Sequence, residues 1–111
     1  MPIGAHVSTA GGLSNSIGRA QALGAECIQI FLSAPRRLQH PKHTDEEVAA
    51  FTTRCAEAAI APAFAHATYL INLASDDPRL REASIANLCA TAQWCDRIGL
   101  AGVVEIGRAH V

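Results

Sequence analysis

The chain has 111 residues, of which 50% are hydrophobic and 17% charged, with a formal net charge of −1. That length holds one domain or part of one, and the apolar content excludes a disordered tail. Near-neutral charge gives no bulk support for nucleic-acid binding, so any such contact must come from a local basic patch.

Ile3-Gly4-Ala5-His6-Val7 reads as a first short strand. Ser8-Thr9-Ala10-Gly11-Gly12 follows as a tight turn whose glycines allow close backbone approach to a phosphate or a packed neighbour. Leu13, Ile17, Ala20 and Leu23 then recur at helical spacing, with Gly24 as a natural C-cap. Cys27-Ile28-Gln29-Ile30-Phe31-Leu32 is a second strand, nearly continuously apolar, as suits a strand covered on both faces.

Ser33 to His43 is a polar loop holding Pro35, Arg36, Arg37, His40, Lys42 and His43. Thr44 with Glu47 makes a capping box for a second helix, whose core stripe is Val48, Phe51, Cys55 and Ala58. Ile60 to Ala65 is the third strand, and His66 to Leu73 is the loop leaving its C-terminal end. Asp77-Pro78 fits an N-cap followed by proline at the first helical position. The third helix carries Ile85, Leu88, Ala92 and Cys95 on the face expected to meet the core, and stops near Gly99. Ala101 to Val104 begins a fourth strand.

The order βαβαβαβ with short connections calls for an α/β protein with a parallel sheet and right-handed crossovers. Four strands make either a small open sheet or half of a (β/α)8 barrel, which needs about 250 residues, and periodicity does not choose between them. The four cysteines, Cys27, Cys55, Cys89 and Cys95, form no C-x-x-C pair and read as reduced thiols of a cytosolic protein. The sequence has neither a basic and apolar leader at Met1 nor an apolar run of membrane-spanning length, so a soluble, cytoplasmic protein is expected.

In a parallel α/β protein, chemistry collects at the C-terminal ends of the strands. His6 and His66 both fall there. Either alone is more often a hydrogen-bonded core histidine, and two at one rim point toward a site. A catalytic zinc takes at least three protein ligands, so the missing donors must come from elsewhere. Arg36 and Arg37 face the same rim, either as solvated loop charges or as phosphate contacts. Gly11-Gly12 could seat an anion on backbone N–H groups, or simply turn the chain. Tyr69 and Leu70 are a hydrophobic wedge if exposed, or a satellite core contact if folded under their loop. Trp94 reads as packing.

With these residues in view, the chain resembles the N-terminal part of the endonuclease IV family of apurinic/apyrimidinic (AP) endonucleases. The resemblance runs from Ile3 to about Val104. It is carried by Ile3-Gly4-Ala5-His6-Val7-Ser8 with Ala10-Gly11-Gly12-Leu13, by Phe31 through Pro35-Arg36, and above all by His66-x-x-Tyr69-Leu70-Ile71-Asn72-Leu73. It implies a (β/α)8 barrel of which residues 1–104 are the N-terminal part, with three zinc ions at its C-terminal rim. It also implies cleavage of the phosphodiester 5′ to an abasic site in double-stranded DNA, leaving a 3′-hydroxyl, by an enzyme that is a monomer when intact. On this resemblance His66 is a zinc ligand, and Arg36, Tyr69 and Leu70 enter the DNA at the lesion. Ser8, Gly11 and Gly12 lie near the DNA backbone, while His6 and Asn72 belong to the pocket.

There are departures. Thr68 stands where the family usually has Ser, and Leu38 stands near where many members have an aromatic residue. After Gly102-Val103-Val104 the family continues into a Phe-His-Pro-Gly-Ser-His-like segment that supplies another zinc ligand, whereas this chain reads Glu105-Ile106-Gly107-Arg108-Ala109-His110-Val111. One codon set for those seven residues, GAG ATC GGA AGA GCA CAC GTC, resembles a short-read sequencing adapter. Residues 105–111 are therefore expected to be a non-native tail, with His110 no ligand, Glu105 no catalytic carboxylate, and the chain by itself inactive. A related reading is a sugar-phosphate isomerase or epimerase on a similar barrel, which uses carboxylates on a small polar substrate. A third is a stand-alone βα module that binds DNA or a partner. Reading the source DNA beyond the codon for Val104 checks the tail: the frame is expected to continue into a Phe-His-Pro-Gly-like segment, and a stop after Val111 overturns the expectation.

Overall fold

Short apolar runs alternate with amphipathic stretches, and the computed structural model, which describes residues 1–107, folds them in strict alternation. The elements are β1 (Gly4–His6), α1 (Asn15–Leu23), β2 (Cys27–Phe31), α2 (Asp45–Ala58), β3 (Ala63–His66), α3 (Pro78–Ile98) and β4 (Gly102–Val104). All neighbouring strands are parallel, in the order β1-β2-β3-β4. A doubly wound sheet reverses its strand order at a switch point, whereas this one advances one strand per crossover. Sequential winding is how a (β/α)8 barrel is built, so the topology makes the choice that periodicity left open.

The register divides each strand into two faces. Ile28 and Ile30 of β2 and Ala63 and Ala65 of β3 are buried against the helices. The alternate residues form rows across the opposite, inner face. One row is His6, Gln29, Phe64 and Gly102, and the next is Phe31, His66 and Val104. The apolar appearance of β2 thus conceals an inner face carrying Gln29 and Phe31. The core between sheet and helices is closed by Leu13 and Ile17 from α1 and its approach, Phe51 from α2 and Ile98 from α3, all nearly inaccessible to solvent.

The helix ends follow the sequence signals. Thr44 Oγ1 accepts from the Glu47 N–H at 3.1 Å, and Asp77 Oδ1 accepts from the Arg79 N–H at 2.9 Å with Pro78 opening α3. Only half of the expected capping box forms, because the Glu47 carboxylate goes to His43 Nδ1 (3.2 Å). Gly24 and Gly99 close α1 and α3 in the left-handed region (φ 71° and 87°), where glycine carries no Cβ penalty.

One residue of the α1 stripe and the expected core face of α3 are corrected. Leu23 is 67% exposed, because α1 ends there. More consequentially, α3 buries Ser84, Asn87, Thr91, Cys95 and Ile98, while Ile85 is 49% exposed and Ala92 faces out. Cys95 alone of the predicted stripe is buried. The helix is turned because Ser84 and Asn87 hydrogen-bond to loop backbone on the core side. Among the described residues, no helix is long and apolar enough to cross a membrane.

All four cysteines are free. Burial pushes the Cys95 thiol up, chiefly by desolvating the thiolate, and does the same to Cys55. Cys89 is exposed. Titration of the native chain with a thiol reagent at mildly alkaline pH is expected to modify Cys89 promptly and Cys95 only after denaturant is added. Equal rates at the two positions contradict this packing.

Candidate functional site

The inner-face rows end at the C-terminal edge of the sheet, and there the side chains meet. Phe31 is the hub. Its ring centroid lies 4.6 Å from that of His6, 5.2 Å from His66 and 5.3 Å from Tyr69. The two histidine rings stand 6.2 Å apart, His66 in the upper row and His6 in the row beneath it. They are neighbours across rows, not partners at one level.

Hydrogen bonds set what each imidazole can do. His66 Nδ1 lies 2.6 Å from the Ala67 carbonyl oxygen. A carbonyl only accepts, so Nδ1 carries the proton and the Nε2 lone pair is left available, the arrangement of a metal-ligating histidine. His6 differs. Its Nδ1 accepts from the Gln29 side-chain amide at 2.9 Å, which places the proton of the neutral ring on Nε2 and makes that nitrogen a donor. Partial burial, and secondarily the proximity of His66, hold the His6 pKa below the ordinary histidine value. The ring is therefore neutral near pH 7.

Two cavities open on this edge. A cleft of about 510 Å³ is lined by His6, Ser8, Thr9, Phe31 and Pro35, among others. A second, of about 240 Å³, lies between the loops after β3 and β4 and is lined by His66, Thr68, Tyr69 and Glu105. Thr68 Oγ1 is buried without a hydrogen-bond partner among the described residues. A cavity with a free imidazole lone pair and an unmatched hydroxyl suits a polar or ionic ligand. Among the described residues, however, no three His, Cys, Asp or Glu side chains gather to hold a metal ion, so His66 fits as one donor of an incomplete set. His110 lies outside the described residues.

The loop after β3 projects its apolar pair outward. Ala67, Thr68 and Ile71 are buried, while Tyr69 and Leu70 between them are 55% and 42% exposed. The flanks are anchored and the pair is presented, so the folded-under alternative does not hold. The Tyr69 N–H donates to the Pro35 carbonyl at 2.7 Å, tying this loop to the one that carries Arg36 and Arg37. Both arginines are exposed and unpaired among the described residues. His43 leaves the basic cluster. It is packed between the Leu32 carbonyl (2.8 Å), Glu47 and the Trp94 ring.

In the turn after β1, Gly11 and Gly12 have positive φ (86° and 139°), as a sharp reversal requires. The Gly12 N–H donates to the Thr9 carbonyl (2.9 Å), and the Asn15, Ser16 and Ile17 amides close the next turns, so these N–H groups offer no anion seat. What the turn offers is close backbone approach and the Ser8 hydroxyl on the rim of the larger cleft. Arg19 holds it from below by donating to the Ser8 carbonyl at 2.9 Å. Asn72 is tied down locally, its Oδ1 accepting from the Ala74 N–H and its own N–H donating to Ser84 Oγ.

Sequence reasoning missed Phe31 and Gln29 as site residues. The signal was present in the two-residue period of β2, which sets them on the side opposite Ile28 and Ile30.

The family model described as a xylose isomerase-like TIM barrel matches residues 17–110. A protein named probable endonuclease 4 from Persephonella marina is 41% identical over 96 residues, covering 86% of this chain and 34% of that protein. Apurinic-apyrimidinic endonuclease 1 of Saccharomyces cerevisiae is 35% identical over 100 residues, covering 87% of this chain and 27% of that protein. The crystal structure of endonuclease IV from Thermus thermophilus superposes with a TM-score of 0.87 at 33% identity, over 97% of this chain and 42% of that one. The chain thus spans about a third of the length of curated relatives it matches (34%, 31% and 38%).

The Phe31 hub yields a direct check. Phe31→Ala removes the ring that three others touch and is expected to cost about 2 kcal/mol, below the range for a fully buried phenylalanine because the site is half open. Urea unfolding measures the loss. Nuclear Overhauser contacts between the His6 and His66 rings are expected to vanish in the variant, and their survival overturns the role of Phe31 as hub.

Proposed function

This chain belongs to the xylose isomerase-like TIM barrel family and, within it, to the endonuclease IV group, and from that membership we propose that its activity is incision of double-stranded DNA at abasic sites. One observation carries the reading. The exposed Tyr69-Leu70 pair stands beside a histidine with a free Nε2, on a loop bonded to the one bearing the unpaired Arg36.

Each feature has a task on such a substrate. Tyr69 and Leu70 are suited to wedge into an unstacked step and hold the duplex bent. An abasic nucleotide flips most easily because no base is left to unpair, which gives selectivity without base readout. Arg36 contacts phosphate near the lesion, while Ser8, Gly11 and Gly12 let the backbone pass close on the other side. His6, neutral and with its Nε2–H pointing away from Gln29, donates a hydrogen bond from the pocket, and Asn72 keeps the far end of its loop in place.

We assign His66 Nε2 as one zinc ligand, with the other donors beyond the described residues. Zinc, when bound, supplies Lewis-acid stabilisation of charge on the phosphate oxygens. Such a displacement needs a complete donor set, so the 111-residue chain by itself is proposed to bind but not to cut. The isomerase alternative is disfavoured by the same wedge, since a small-sugar pocket has no use for an exposed Tyr-Leu pair.

Fluorescence anisotropy with an abasic duplex and an undamaged duplex of the same sequence tests the reading. The chain is expected to prefer the abasic duplex, and Tyr69→Ala to reduce that preference roughly tenfold. Equal binding of both duplexes, or efficient incision by the chain that His66→Ala abolishes, would sink the respective claim.

A further inference from the structure

Helix α3 touches both rim loops through two buried polar side chains. Ser84 and Asn87 lie three residues apart on its core side, and neither is accessible to solvent. Ser84 Oγ accepts from the Asn72 N–H at 2.9 Å, in the loop after β3. Asn87 Nδ2 donates to the Gln39 carbonyl at 3.0 Å, in the loop after β2. The Tyr69 N–H to Pro35 carbonyl bond, 2.7 Å, joins the two loops to each other. The result is a closed circuit: α3 to one loop, that loop to the other, and back to α3.

We propose that Ser84 and Asn87 are positioning residues that hold the Arg36 loop and the Tyr69-Leu70 loop as one body, so that cation and wedge meet the DNA at fixed spacing, an inference that rests on the abasic-site reading above. The polarity of the face argues for this. The exposed side of α3 carries Ile85, and the N-terminal part of the buried side carries Ser84, Asn87 and Thr91, ahead of Cys95 and Ile98. Asn87 Oδ1 is buried with no partner among the described residues. A buried amide matched on one side costs stability compared with an apolar residue of the same size. Its return is direction. Apolar contact fills space but leaves a loop free to slide, whereas a hydrogen bond fixes one backbone atom at one place. Geometry held in this way matters where a wedge and a phosphate contact must act on the same nucleotide.

The test compares the 111-residue chain with Ser84→Ala and Asn87→Ala by amide hydrogen exchange and by anisotropy on abasic and undamaged duplexes. Asn87→Ala is expected to speed exchange roughly fivefold in the loop after β2, which it bonds, and also at Tyr69 across the circuit, with β2 and β3 unchanged. Ser84→Ala is expected to do the same from the other side. In both, abasic preference falls roughly three- to tenfold, while affinity for undamaged duplex holds. Ser84→Thr, which keeps the hydroxyl, restores preference. Should Asn87→Ala not fold, Asn87→Leu keeps the volume and carries the same test. Faster exchange confined to the loop that the substituted side chain bonds, or unchanged preference despite faster exchange in both, overturns the proposal. If the unsubstituted chain does not distinguish the duplexes, the functional reading fails by itself, and exchange across the circuit still decides whether the two loops move as one.

Discussion

The two-residue period of the parallel strands is the constraint on which the rest depends. Because successive side chains point to opposite faces, the register that buries Ile28, Ile30, Ala63 and Ala65 under the helices must turn Gln29, Phe31, Phe64 and His66 the other way. A slip of one residue would put His66 among the helices and the isoleucines on the open face. The hydrophobic core and the site are thus two consequences of a single alignment, and neither can move without the other.

Hydrogen bonding then differentiates groups of the same chemical type. His6 and His66 are both histidines, set in neighbouring inner rows. The Ala67 carbonyl beside one and the Gln29 amide beside the other give them opposite tautomers, one open as a ligand and one acting as a donor. The glycine turn is decided in the same way. The Gly12 amide is already donated to the Thr9 carbonyl, so it is not open to an anion, while the positive φ of Gly11 and Gly12 still permits close approach.

The rim loops show how a surface can be exposed and held in place together. Tyr69 and Leu70 project into solvent because Ala67, Thr68 and Ile71 around them are buried. Their loop is further fixed by a backbone bond to the Arg36 loop and by the Asn72 N–H donating to Ser84 Oγ of α3. Exposed apolar side chains on a mobile loop would tend to collapse onto the nearest surface. Anchored backbone on both sides keeps them presented.

Local chemistry in the sequence determined much of this protein. Alternating apolar runs and caps gave seven elements in the right order. Thr44, Asp77, Gly24 and Gly99 marked helix ends because each signal acts within a few residues of chain. The His66 to Leu73 motif carried the family, which the match over residues 17–110 bears out. What the sequence could not decide were matters of partnership across the fold. The apolar spacing of α3 pointed to Ile85 and Ala92, but the buried face was chosen by Ser84 and Asn87 finding backbone partners 12 and 48 residues away. Phe31 became the hub of the site only when β1 and β3 came to lie on either side of β2. Periodicity reports which residues share a face; which face turns inward, and what meets it there, is set by contacts between segments that the sequence holds apart.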